Sequence, residues 1–144
     1  MRMLSALVLA VSVHAVGLAQ ETAQTFYVQL IRGTDADKPQ QASWKPVGPK
    51  LSRQFTPRFR WKTYWEIERA TVIVAPGKVT RIKLGAEREV EVDLNKPDPQ
   101  IRLFTNGVLS RRCRDSLRSG MCIMGGTRDN DESWFVVVRR DPPL

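Results

Sequence analysis

The chain has 144 residues, 42% of them hydrophobic and 26% charged, with a formal net charge of +8 at pH 7. That apolar fraction excludes an intrinsically disordered polypeptide, and no stretch reaches the roughly 20 apolar residues that a membrane-spanning helix needs. The one histidine, His14, falls in a segment that reads as a removable leader. Imidazole catalysis and histidine metal sites are therefore not expected of the mature protein.

Residues 1–19 carry the three parts of a secretory signal. Arg2 starts it, Leu4 to Val13 is apolar apart from Ser5 and Ser12, and Gly17-Leu18-Ala19 places small residues before a cleavage site. Cleavage after Ala19 would leave residues 20–144 as a single domain. Its charge would fall from +8 to +7, because Arg2 is the only charged residue removed. The expected location is secreted or periplasmic. No cysteine stands immediately after the cleavage site, so a bacterial lipid anchor is not expected.

Phe26, Val28 and Leu30 alternate with Tyr27, Gln29 and Ile31, which predicts a strand that is apolar on both faces. Residues 32–44 are rich in turn formers and charge and read as a loop. Lys45 to Arg53 holds Pro46, Gly48 and Pro49 and reads as irregular, with Leu51 and Phe55 available to the core. From Arg58 the period is two. Phe59, Trp61, Thr63, Trp65 and Ile67 occupy one face of a predicted strand, and Arg58, Arg60, Lys62, Tyr64, Glu66 and Glu68 the other. The apolar parity switches between Ile67 and Val72, so a bulge or break is expected near Arg69–Thr71.

Val72 and Val74, then Pro76-Gly77, then Thr80, Ile82 and Leu84 suggest a hairpin. A three-residue loop at Gly85-Ala86-Glu87 would start another, pairing Ile82 with Val90, Lys83 with Glu89 and Arg81 with Glu91. That register sets opposite charges across the outer face, at about 0.2–1 kcal/mol per pair. After a turn at Asn95 to Pro99, Ile101, Leu103 and Phe104 precede Asn106-Gly107, a dipeptide typical of tight hairpins. Val108 and Leu109 follow with parity that fits this turn poorly. Trp134 to Val138 is apolar on both faces and reads as a central strand. With no repeat, heptad or helical stripe, the expected fold is all-β, a small antiparallel sandwich. The alternative is a five-stranded oligonucleotide-binding-type barrel, which would expose Trp61 and Trp65.

In an oxidising compartment Cys113 and Cys122 are expected to form a disulfide closing a short loop. Cys122-Ile-Met-Gly125-Gly-Thr-Arg128 matches the CxxGxxR phosphate loop of cysteine-dependent phosphatases. It lacks the preceding histidine and the following helix, and a disulfide would consume its thiolate. Asp129, Asn130, Asp131 and Glu132 offer oxygen ligands without EF-hand spacing, and zinc lacks ligands once His14 is gone. No metal or cofactor is expected. The acids Glu66, Glu68, Glu87, Glu89, Glu91 and Asp93 repeat at strand spacing beside basic partners, as in a surface ion-pair ladder. The expected ligand-binding residues are two basic clusters. Arg58, Arg60, Lys62 and Tyr64 form the first, and Arg111, Arg112, Arg114 and Arg118 the second. The expected function is non-catalytic binding or assembly on an anionic polysaccharide, an envelope polymer or an acidic protein, with nucleic acid disfavoured by export. The alternative is a carboxylate-dependent hydrolase of a surface polymer.

Overall fold

A strand with two apolar faces must be covered on both, and this requirement organises the molecule. The computed structural model describes residues 22–113, 117–129 and 132–144, with backbone alone for 126–129. Strand β1 (Gln24–Thr34) lies at the middle of a five-stranded sheet. Its neighbours are β3 (Thr63–Val74) on one side and β9 (Glu132–Arg139) on the other. The short β2 (Lys45–Pro46) lies beyond β3, and β8 (Met121–Asp129) lies beyond β9. A second sheet holds β4 (Val79–Leu84), β5 (Arg88–Asp93), β6 (Gln100–Thr105) and β7 (Val108–Arg112) in that order. All pairings are antiparallel, and the two sheets form a sandwich that is not closed into a barrel. The all-β sandwich expected from the alternation is the observed fold.

Two apolar clusters hold it together. Phe26, Val28 and Leu30 of β1 face the second sheet and pack with Val90, Val92, Ile101, Leu103, Val136 and Val138. On the opposite face, Ile31, Tyr64, Phe135 and Val137 are covered by a short helix, α1 (Pro49–Phe55), and by Trp61. Each fully buried Leu, Val or Phe contributes roughly 1.5–3 kcal/mol relative to exposure, so both faces of the sheet are stabilised by burial. The helix begins with Pro49, whose fixed φ suits a first turn, and sets Leu51 and Phe55 four residues apart toward the sheet. Phe55 stacks on Tyr64 with ring centroids 4.7 Å apart and meets Phe135 edge-on at 4.9 Å. The stretch expected to be irregular is thus helical from Pro49. Seven residues supply only two apolar positions, too few to show a helical period.

Three further expectations change. The strand expected from Arg58 begins at Thr63, and Phe59 and Trp61 reach the aromatic cluster from the connection after α1. The bulge lies at Ile67 rather than at Arg69–Thr71, because Leu30 pairs with Glu68 and Ile31 with Glu66, leaving Ile67 without a partner. The Pro76-Gly77 turn does not close a hairpin. It carries the chain from β3 in one sheet to β4 in the other. Val74 and Leu84, both fully buried, then belong to the same inter-sheet core.

Other expectations hold. The β4–β5 hairpin has the expected register, Ile82 with Val90, Lys83 with Glu89 and Arg81 with Glu91. Asn106-Gly107 forms the tight β6–β7 turn with both residues at positive φ. Its parity mismatch is a bulge. Leu103 pairs with Arg111 and Phe104 with Leu109, so Ser110 is the extra residue. Strand β9 is paired on both sides.

Candidate binding site at the open edge of the sandwich

Strand β8 ends one sheet and β7 ends the other, and the two edges lie beside each other without pairing. Cys113, just after β7, and Cys122, on β8, stand at disulfide distance with their Cα atoms 5.9 Å apart. The expected cysteine pair is therefore brought together where the two edges meet. Beside it runs a cleft of about 360 Å³, lined by Met121 to Gly125 and by Arg58, Arg111 and Arg112. A second cleft of about 330 Å³ shares Arg111, Met124 and Gly125 with the first and continues to Arg88, Thr105 and Trp134.

Strand parity explains why charge lines these spaces. Arg111 pairs with Leu103, a core residue, so it stands at a core-facing position of an edge strand where the sandwich is open. An inward-pointing charge on an edge strand is also a known guard against unwanted pairing. Arg88 has the same parity as Val90 and Val92 on β5 and lies half-buried, its guanidinium 4.3 Å from the centre of the Trp134 ring. Desolvation lowers its pKa, opposed by the neighbouring Glu87 carboxylate. On the other strand bordering Trp134, Arg32 sits 3.8 Å from the same ring and 5.0 Å from that of Trp44. Burial lowers the Arg32 pKa as well, against the attraction of Glu132, which it meets at 3.2 Å. Among the described residues Arg58, Arg88, Arg111 and Arg112 form no ion pair.

The two clusters expected from the sequence are rearranged. Arg58 joins Arg111 and Arg112 at the cleft, although they are distant in sequence. Arg60 rests its guanidinium 4.4 Å from the Trp61 ring, away from the residues that wall the cleft. Lys62 is engaged by Asp37, whose hydrogen bond raises the Lys62 pKa, and its backbone N–H donates to Asp35. Tyr64 is not on a binding face. It is buried in the aromatic cluster, where desolvation raises its pKa. The single face of Arg58, Arg60, Lys62 and Tyr64 does not exist, because β3 starts only at Thr63. Arg118 pairs with Asp98 at 3.1 Å, and Arg114 lies outside the described residues. Sequence reasoning missed Arg88, whose signal was an arginine at core parity two residues before Val90.

Several alternative chemistries can be located. Trp61 and Trp65 are each only 7% exposed, unlike the stacking platforms of an oligonucleotide-binding barrel. The CxxGxxR string runs along β8, so Cys122 to Gly125 form a strand rather than a phosphate-cradling loop at a helix. Of the acidic loop, Asn130 and Asp131 lie outside the described residues. No cluster that could ligate a metal occurs among the residues described. Glu66 accepts from Arg69, and Glu91 is bracketed by Arg81 at 2.8 Å and Arg102 at 2.7 Å. No helix among the described residues is long and apolar enough to cross a membrane. Comparisons with protein-family models, curated proteins and solved structures find no match.

Proposed function

We propose that this protein is an exported, non-catalytic binding domain that takes anionic ligands at the arginine-lined cleft between β7 and β8. The observation carrying the reading is the convergence of Arg58, Arg111 and Arg112 on one cleft, with Arg88 on the adjoining one. Guanidinium groups bind carboxylate, sulfate and phosphate through paired N–H donors, and neighbouring like charges raise the local concentration of anions. Among the described residues Arg58, Arg111 and Arg112 have no ion-pair partner, and holding such cations on one cleft costs stability through mutual repulsion. A bound anion relieves that repulsion. The net charge of +8 favours the same class of partner, and the leader and cysteine pair fit a role outside the cytosol. The ligand class is an anionic polysaccharide, an envelope polymer or an acidic protein.

The test is retention on two immobilised polyanions, a sulfated polysaccharide and polyglutamate, for the wild type and for the triple variant Arg58→Ala/Arg111→Ala/Arg112→Ala. Retention at salt near ~0.15 M, lost in the triple variant, is the expected result. Elution of both proteins at the same low salt would leave the charge as a general solubility feature. Export is checked separately by the mass of the protein recovered outside the cytosol, which should correspond to a chain starting at Gln20.

A further inference from the structure

The sandwich has four edge strands, and three of them carry ordinary protection against further pairing. Strand β2 is two residues long and contains Pro46, β4 carries Arg81 and Lys83, and β7 carries Arg111 and Arg112. Proline, charge and brevity each discourage another strand from adding to an edge. Strand β8 differs. Its charged residues, Arg128 and Asp129, come only at its far end, and from Met121 to Gly126 it reads Met-Cys-Ile-Met-Gly-Gly, without a charge or a proline. Among the described residues no backbone hydrogen bond joins it to β7, and the 360 Å³ cleft runs along Met121 to Gly125.

We infer that the free edge of β8 accepts an extended acidic segment of a partner protein as an added strand. The inference rests on the cleft being the anion-binding site. Main-chain hydrogen bonds to β8 would supply affinity, and the flanking arginines would select the charge of the incoming chain. Their placement covers both faces of such a strand. Cys122 and Met124 belong to the inter-sheet core and Met121 to the aromatic side. Arg111 lies toward the inter-sheet side, and Arg58, from the connection after α1, toward the aromatic side. Acidic side chains alternating up and down along the added strand would meet a guanidinium on either face. The same arginines repel a second copy of this basic chain, which would otherwise be the commonest partner for an unprotected edge.

The experiment compares three probes against the intact protein. They are a synthetic peptide repeating glutamate-glutamate-valine-valine, which sets carboxylates on both faces of an extended strand, the same peptide N-methylated at adjacent backbone nitrogens so that neither of its edges can pair, and a sulfated polysaccharide. Affinity is read by titration calorimetry and the state of β8 by amide hydrogen exchange. Expected are binding of the unmodified peptide, slower exchange in Met121 to Gly125, and a loss of about tenfold or more on N-methylation, since each blocked N–H removes a ladder bond. Equal binding of both peptides, or unchanged exchange in β8, overturns strand addition while leaving the anion site in place. Polysaccharide binding without peptide binding does the same. If none of the probes binds, strand addition and the anion-site reading fall together. The decisive modification is made in the peptide, so folding of the protein is not at issue.

Discussion

Arg32 and Trp134 are direct register partners on β1 and β9, and the guanidinium of the first lies 3.8 Å from the ring centre of the second. Trp44 and Arg88 extend this contact into a row of alternating rings and cations at one end of the sandwich core. Both arginines stand at core parity on their strands. The ring's electron-rich faces, together with Glu132 beside Arg32, make their partial burial tolerable. Replacing Trp134 by alanine should therefore cost more than lost apolar area. A destabilisation of about 3–5 kcal/mol is expected, with Trp134→Phe retaining part of it. The denaturant midpoints of the two variants measure the difference, and equal midpoints would show that the cations do not depend on the indole.

Acid should weaken the fold through Glu91 and Asp141. Burial of Glu91 raises its pKa, but hydrogen bonds from Arg81 and Arg102 outweigh that and hold it below the usual range. Arg139, itself only 3% exposed, does the same to Asp141 with help from Lys50. A carboxylate with a depressed native pKa binds protons more readily when unfolded. Its stabilising contribution is present above about pH 4 and is lost as the pH falls toward the native pKa. Unfolding free energies measured by urea between pH 7 and pH 2 should decline through that window. In Glu91→Gln the decline should be shallower, after an initial loss of about 1–2 kcal/mol at pH 7 from weakened charged hydrogen bonds.

Gly125 and Gly107 both have positive φ, yet their substitutions should differ in cost. At Gly107 a Cβ would meet open space, so alanine carries only the backbone penalty of about 1 kcal/mol. At Gly125, φ is +120° and a Cβ would collide with the Trp134 carbonyl oxygen on β9, where the β8–β9 register shifts. Gly125→Ala should lose about 2–3 kcal/mol or more, as strain and collision add. Thermal midpoints of the two variants decide the point, and equal shifts would mean that β8 relaxes away from β9.

Linking Cys113 to Cys122 should stabilise the chain by about 2–3 kcal/mol through the shortened loop of the unfolded state. A thiol reagent should leave the native, unreduced protein unlabelled and modify both residues after reduction and unfolding. Full labelling without reductant would show that the pair is not bonded. If it is bonded, Cys113→Ser should also weaken anion binding, because the link positions β7 and its arginines against β8.

Much of this protein's architecture is written in local periodicity. Alternation in Phe26 to Ile31 and in Trp134 to Val138 identifies strands buried on two faces, and charge pairing selects the β4–β5 register without ambiguity. These signals are readable because a strand's side chains alternate strictly, so a slip of one residue would bury acids and expose valines. Tertiary structure alone decided that Pro76-Gly77 crosses between sheets rather than closing a hairpin, since the same turn residues and the same inner valines serve either connection. It alone decided that Leu51 and Phe55 belong to a helix. It also brought Arg58 beside Arg111 and Arg112 while burying Tyr64, because the partners of a side chain at an open sheet edge are set by distant strands and not by its neighbours in sequence.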